Sequence, residues 1–139
     1  MTYEQYLTLK PSQIPNGGVG LYTNVNIPKG ANISRFIGNI VDEMITEKPN
    51  CLYLVETLDG KVMDVYPSKQ KAKYANDAAG PRRIKGIRNN SYIEYQNEKI
   101  YIVASKNIKK GEEIFLSYGR AYWRSVFIMD EQSLSKYPS

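Results

Sequence analysis

Twelve tyrosines and no histidine set the chemistry open to this 139-residue chain. Without histidine there is no Ser-His-Asp or Cys-His nucleophile, no imidazole base and no His-ligated zinc. Cys51 is the single cysteine, so disulfide frameworks and Cys-rich zinc sites are also excluded and no metal site is expected. Tyrosine remains, a hydroxyl that can orient a reacting group without adding charge at neutral pH. Four segments set glycines, amides and aromatics at suggestive spacings. Gly17-Gly18-Val19-Gly20-Leu21-Tyr22 can bring backbone close to a ligand, yet it lacks the strand, helix and third glycine of a dinucleotide fingerprint. Phe36-Ile37-Gly38-Asn39 is the second. Lys73-Tyr74-Ala75-Asn76-Asp77-Ala78, followed after a loop by Asn89-Asn90-Ser91, is the third, rich in turn-forming amides. The fourth, Gly111-Glu112-Glu113-Ile114-Phe115-Leu116-Ser117-Tyr118-Gly119 and then Arg120-Ala121-Tyr122-Trp123, ends an apolar run on a tyrosine. Each alone is compatible with an ordinary strand or turn.

The elements that must position these residues read as short strands. Strands are expected over 19–27, 33–41, 92–95, 99–104 and 113–117. A hairpin is expected from Leu52–Thr57 and Val62–Val65 around Asp59-Gly60. Gly38 marks a bulge or a close backbone approach. Ser68 is expected to cap a short helix to Tyr74, residues 75–90 form a long loop, and 121–129 form a helix. Asn26–Ile33 echoes Asn107–Ile114 at an offset of 81 residues, which predicts two similar strand–turn–strand corners.

The net charge is +5, with 42% apolar residues, which suits one globular domain. Lys61 to Asn90 carries eight basic residues against Asp64 and Asp77, so this stretch is +6 and the rest is −1. It reads as a solvated face or as a dock for an acidic partner, with a weak contact to nucleosomal DNA as the specific form. No apolar run approaches the ~20 residues of a membrane span, and Met1–Lys10 lacks a signal-peptide pattern. A soluble, intracellular protein is expected.

In this order and spacing, the four segments resemble the SET domain of protein lysine methyltransferases, from about Gly18 to Trp123. The compact form is most similar to stand-alone SET proteins of viruses or microbes. The resemblance implies a mostly β, β-clip-like fold of several small sheets, with a C-terminal pseudoknot and few short helices. It implies an N-terminal extension over 1–16, the SET domain over 17–123, and a helix and tail over 124–139 completing the site. It implies S-adenosylmethionine on one face and a substrate lysine entering a narrow channel from the other. Carried over by residue, Gly18, Val19, Gly20, Tyr74, Asn76, Asp77, Asn90 and Trp123 hold the cofactor, and Tyr118 is the catalytic tyrosine. Phe36, Tyr53, Tyr92, Leu116 and Tyr122 line the channel. The implied activity is lysine N-methylation, on a histone tail as the family's commonest target, with the nucleus or a host nucleus as location. Glu43, Glu47 and Glu56 are candidate walls of an acidic peptide groove.

Three features depart from the family pattern. Asp77 stands where histidine is usual, the loop to Asn89-Asn90 is longer, and no Cys-rich zinc segment flanks the domain. Channel closure then falls to Tyr122, Trp123 and Phe127, or to a second protomer in a homodimer. Leu116, two residues before Tyr118, leaves room for di- or trimethylation. The competing readings are a non-catalytic SET-like module that grips a peptide, which the Asp77 change would fit, and a basic nucleic-acid-binding β-domain whose tyrosines stack on bases.

Overall fold

The computed structural model describes residues 2–15, 18–41, 54–57, 59, 61–65, 68–79 and 85–117. They form three small sheets with two short 3-10 turns, at Glu4–Tyr6 and Lys71–Tyr74. The first sheet is antiparallel. β1 (Leu7–Pro11) pairs with β2 (Val19–Thr23), and β2 pairs with β9 (Glu113–Ile114). The second sheet has the order β10-β7-β8-β3: Leu116–Ser117, Ser91–Gln96, Lys99–Ala104 and Asn32–Phe36. In it, β10 lies parallel to β7 while the other pairs are antiparallel. The third sheet sets β6 (Val62–Asp64) between β4 (Asn39–Val41) and β5 (Leu54–Glu56). The mostly β architecture of several small sheets is therefore present, and the expected hairpin is β5–β6.

The sheets share one core. Leu21, Ile27, Ile33, Ile102, Ile108, Ile114 and Leu116 are fully buried, each worth about 1.5–3 kcal/mol over exposure. Buried Ile100 and Ile102 at alternate positions of β8, with Tyr101 and β-branched Val103 between and after them, explain why this strand reads clearly from sequence. Its partner β7 enters it through Asn97-Glu98, both at positive φ (50° and 67°), the geometry of a two-residue hairpin turn.

Several expected elements are cut differently. The strand expected over 19–27 ends at Thr23, whose Oγ1 accepts the Val25 N–H at 3.2 Å and donates to the Val25 carbonyl at 2.7 Å. Ile27 then makes an isolated bridge to Ile108. The run 33–41 breaks at Ile37-Gly38, where the chain leaves one sheet for another. The run 113–117 divides in the same way, β9 and β10 lying in different sheets on either side of Phe115. In place of a helix capped by Ser68 there is a 3-10 turn over Lys71–Tyr74 without a side-chain cap; Ser68 Oγ accepts the Gln70 N–H instead. The helix expected over 121–129 lies outside the described residues.

The echoed segments face each other. Ile27 and Ile108 exchange N–H···O bonds of 2.8 Å in both directions. The Asn107 side chain accepts the Lys29 N–H and the Asn26 side chain accepts the Lys110 N–H, each at 2.8 Å. Gly30 N–H reaches the Ala104 carbonyl at 2.8 Å, and Gly111 N–H reaches that of Thr23 at 2.7 Å. Both glycines sit near φ +88° to +89°, a conformation that disfavours any side chain. Two corners 81 residues apart thus complete each other about a local twofold axis.

Candidate active site

The site is built around a buried carboxylate. Glu113, on β9, is 1% exposed. It accepts Ser12 Oγ at 2.7 Å, the Gln13 N–H at 2.9 Å and Gln13 Nε2 at 3.4 Å. Tyr22 OH stands 3.2 Å from the same carboxylate and 2.7 Å from the Pro11 carbonyl. A charge out of water requires such donors. Desolvation, then the negative charge and hydrogen bond of Glu113, push the Tyr22 phenol above its ordinary pKa. Gly20 lies against this group. A Cβ added there would come 2.3 Å from Glu113 Oε2 and 3.0 Å from Ser12 Cα. Gly18, at φ +64°, faces open space, and Val19 is exposed.

Asn76 ties this edge to the rest. Its Nδ2 donates to the Val19 carbonyl at 3.2 Å, its own carbonyl accepts the Leu116 N–H at 2.8 Å, and it bridges Phe115 in parallel. Asp77 is buried, and its Oδ1 accepts the Ala79 N–H and Asn89 Nδ2, both at 2.8 Å. Asn89 closes the loop by accepting the Ala78 N–H at 2.7 Å. Asn90 clasps the β9–β10 junction: Nδ2 donates to the Glu113 carbonyl at 2.9 Å and Oδ1 accepts the Phe115 N–H at 2.8 Å. Ser91 Oγ donates to the Phe115 carbonyl at 2.9 Å. Residues 113–117 therefore run between Asn76 on one side and Asn90-Ser91 on the other. Ile14, Ala78 and Phe115, with Ile87 against them, form a small second core beneath.

The first, third and fourth segments thus converge. Gly18, Val19, Gly20, Asn76, Asp77 and Asn90 come together, and Tyr74 ends the 3-10 turn just before them. The Asn90 amide is committed to backbone, and the Asp77 carboxylate to its own loop. Phe36 and Leu116 are buried in the main core. Tyr92 is exposed and pairs in register with Ser117, the residue before Tyr118. Tyr118, Trp123, Tyr53 and Tyr122 lie outside the described residues, as do Phe127, Glu43 and Glu47. Sequence reasoning missed Glu113, Ser12 and Gln13 as site-builders. The doubled Glu112-Glu113 after a turn glycine was the available signal. Three of the six described basic residues of the 61–90 stretch are also accounted for: Lys61 pairs with Asp59, Lys71 with Glu4, and Lys73 Nζ donates to the Ser68 carbonyl.

A polar cavity of about 520 Å³ opens on the other side of Glu113, with Gln13, Tyr22, Arg88, Lys106 and Phe115 in its wall. Among the described residues expected to hold a cofactor only Asn90 lines it, while Gln13, Tyr22, Glu113 and Phe115 are shared with the site on the Gly20 side. Among the described residues no cluster of His, Cys, Asp and Glu could hold a metal ion, and no helix is long and apolar enough to cross a membrane.

A family model of the SET domain matches residues 18–119. No curated protein matches the chain in sequence. Among solved structures it is similar to the methyltransferase domain of human PR domain-containing protein 2 (22% identity, TM-score 0.64), over 86% of this chain and 80% of that one. It is also similar to a Plasmodium falciparum protein described as a candidate histone methyltransferase (23%, TM-score 0.58), over 85% and 96%. A third is KRYPTONITE in complex with mCHH DNA, an H3(1-15) peptide and SAH (17%, TM-score 0.62), over 82% of this chain and 23% of that one.

Proposed function

Because the chain belongs to the SET-domain family, we propose that it is an S-adenosylmethionine-dependent protein lysine N-methyltransferase acting on a histone tail. The observation that supports this most is the convergence of Gly18–Gly20, Asn76-Asp77 and Asn90-Ser91 on the strand that leads into Tyr118. The two neighbours described as histone methyltransferase and H3-peptide complex support the substrate class, and the SAH in the latter supports the cofactor.

The residues fit the cofactor. Gly18 is open and free of a side chain, and Val19 beside it is exposed, so backbone there can meet the methionine end. Asn76 keeps its side chain at this edge through Val19. When bound, S-adenosylmethionine supplies a methyl group on a sulfonium, which needs no acid, metal or covalent intermediate from the protein.

The chain's task is alignment of a neutral amine. Deprotonating a free lysine at pH 7 costs about 4–5 kcal/mol, from its pKa near 10.4. A dry channel beside a positive charge lowers that cost by desolvation and repulsion. Tyr118 orients the amine with its hydroxyl without introducing charge, and Asn76 and Asn90 fix the strand that carries it. Leu116, two residues before Tyr118, packs into the main core and adds no hydroxyl to the channel; the motif reading then favours di- or trimethyl-lysine as product, formed in the nucleus if the substrate is a histone.

Calorimetric titration with S-adenosylmethionine, followed by methyl transfer to a histone mixture, tests the reading. Micromolar binding with label on one histone is expected. Absence of binding by the folded protein would shift the assignment to a non-catalytic peptide module, in which Asp77 stands in place of the usual histidine. Spectra of the product that stop at monomethyl-lysine would overturn the product assignment alone.

A further inference from the structure

The paired corners put their cations on one exposed knuckle. Lys29 tops the first corner and Lys109 and Lys110 the second, with Lys106 just before it; all four are exposed. The backbone bonds that bring Lys29 to Asn107 and Lys110 to Asn26 fix the two tops against each other. The polar cavity carries the surface onward. Lys106, Asn107, Gly111 and Glu112 form one wall, and Gly86, Ile87 and Arg88 the other. Lys85, three residues before Arg88, is exposed as well. None of these six cations has an ion-pair partner among the described residues.

The nearby carboxylates do not neutralise them fully. Glu113 is turned inward on Ser12 and Gln13, and Glu112 takes the Lys109 N–H at 2.6 Å. Residues 24–32, 85–88 and 105–113 hold six cations and two carboxylates, a net +4 of the chain's +5. Among the described residues the exposed large apolar side chains are Tyr6, Leu9, Val19, Ile37, Ile40, Tyr92 and Tyr95, and none belongs to these segments; Tyr22, Ile87 and Phe115 in the cavity wall are half-buried or buried. Protein interfaces are organised around buried aromatic anchors and single strands stack on aromatics. Regularly held lysines without either fit a phosphate backbone.

We propose that this knuckle and the cavity rim bind the sugar-phosphate backbone of duplex DNA without sequence preference. The choice of DNA over other polyanions rests on the histone reading above, since DNA accompanies that substrate. The contact involves Lys29, Lys109, Lys110, Lys106 and Arg88 rather than the 61–90 stretch as a whole, most of whose other described lysines are engaged internally.

The test is fluorescence anisotropy of the full chain with a random-sequence 20-base-pair DNA duplex. Five phosphate contacts predict about 500-fold weaker binding between 50 and 200 mM salt. The triple variant Lys29→Gln, Lys109→Gln, Lys110→Gln should bind about tenfold or more weaker at 50 mM salt, with the logarithmic salt slope flattened by about three. Its unfolding midpoint and its affinity for S-adenosylmethionine should be unchanged. Absence of duplex binding, equal binding by the triple variant, or tighter binding of single-stranded DNA, duplex RNA or polyglutamate would each overturn the proposal. The assay needs neither cofactor nor turnover, so its failure would leave the methyltransferase reading intact, and failed methyl transfer would leave this one intact.

Discussion

Gly20 and Glu113 constrain each other at the level of single atoms. The carboxylate is clamped by donors from Ser12 and Gln13, so it cannot swing aside for a new Cβ. Gly20→Ala should therefore cost about 1–3 kcal/mol, the range for forcing extra volume into a packed site, read by urea unfolding. Tyr22 supplies a pH signature. Its raised pKa means that the fold favours the neutral phenol. That contribution is complete below pH 10 and is lost as pH rises through the folded-state value. Stability should therefore fall more steeply above pH 10 in the wild type than in Tyr22→Phe, compared by unfolding across alkaline pH. Tyr118→Phe removes only a hydroxyl. Under the methyltransferase reading it loses most turnover while circular dichroism and cofactor affinity persist; wild-type-like turnover would remove Tyr118 from the catalytic role. The glycines and the Asn76-Asp77 pair were legible in sequence because their signature is local. Glu113 was not, because its donors stand 100 and 101 residues away. Asn89, absent from the residues the resemblance assigns to the cofactor, carries the Asp77 loop.

At the level of elements, sequence pattern found the strands from β2 onward, misplaced their breaks and missed β1, which lies in the segment read as an N-terminal extension. β8 and the β5–β6 hairpin stand where alternation and turn residues put them. The runs 33–41 and 113–117 looked continuous because apolar character does not reveal a change of sheet; it continues through Gly38 and Phe115 while the hydrogen-bond partners switch. The cap assigned to Ser68 failed because its hydroxyl bonds two residues on, before the helical turn starts. The repeat, by contrast, was readable, and what it lacked was the pairing of its copies. That pairing makes a symmetrical prediction. Asn26→Ala and Asn107→Ala each delete one equivalent bond to a backbone N–H in an exposed turn. Each should cost about 0.5–1.5 kcal/mol, and the two unfolding losses should agree within error. A large inequality would show that the corners are not equivalent in energy.

For the molecule as a whole, the segment read as an N-terminal extension is bound into the sheets at several points. Tyr3 N–H reaches the Ile33 carbonyl at 3.0 Å, Glu4 holds the Lys71 N–H at 2.9 Å, and β1 runs the length of β2. Leu7 and Ile14 are buried in the two cores. Deleting residues 1–15 should therefore abolish cooperative thermal unfolding and S-adenosylmethionine binding together, because Glu113 loses the Ser12 and Gln13 donors that hold it against Gly20. A truncated chain that unfolds cooperatively and still binds would show that the extension is separable. The twofold corners carry a consequence in time as well. Neither corner has its partners until the other exists, and joining them closes a loop of 81 residues, about 4 kcal/mol of chain entropy before any contact rewards it. During synthesis the first corner must wait, its amides bonded to water, until the segment Asn107–Gly111 has left the ribosome. The two most similar pieces of the chain are therefore expected to meet late in folding, since non-local pairing is slow.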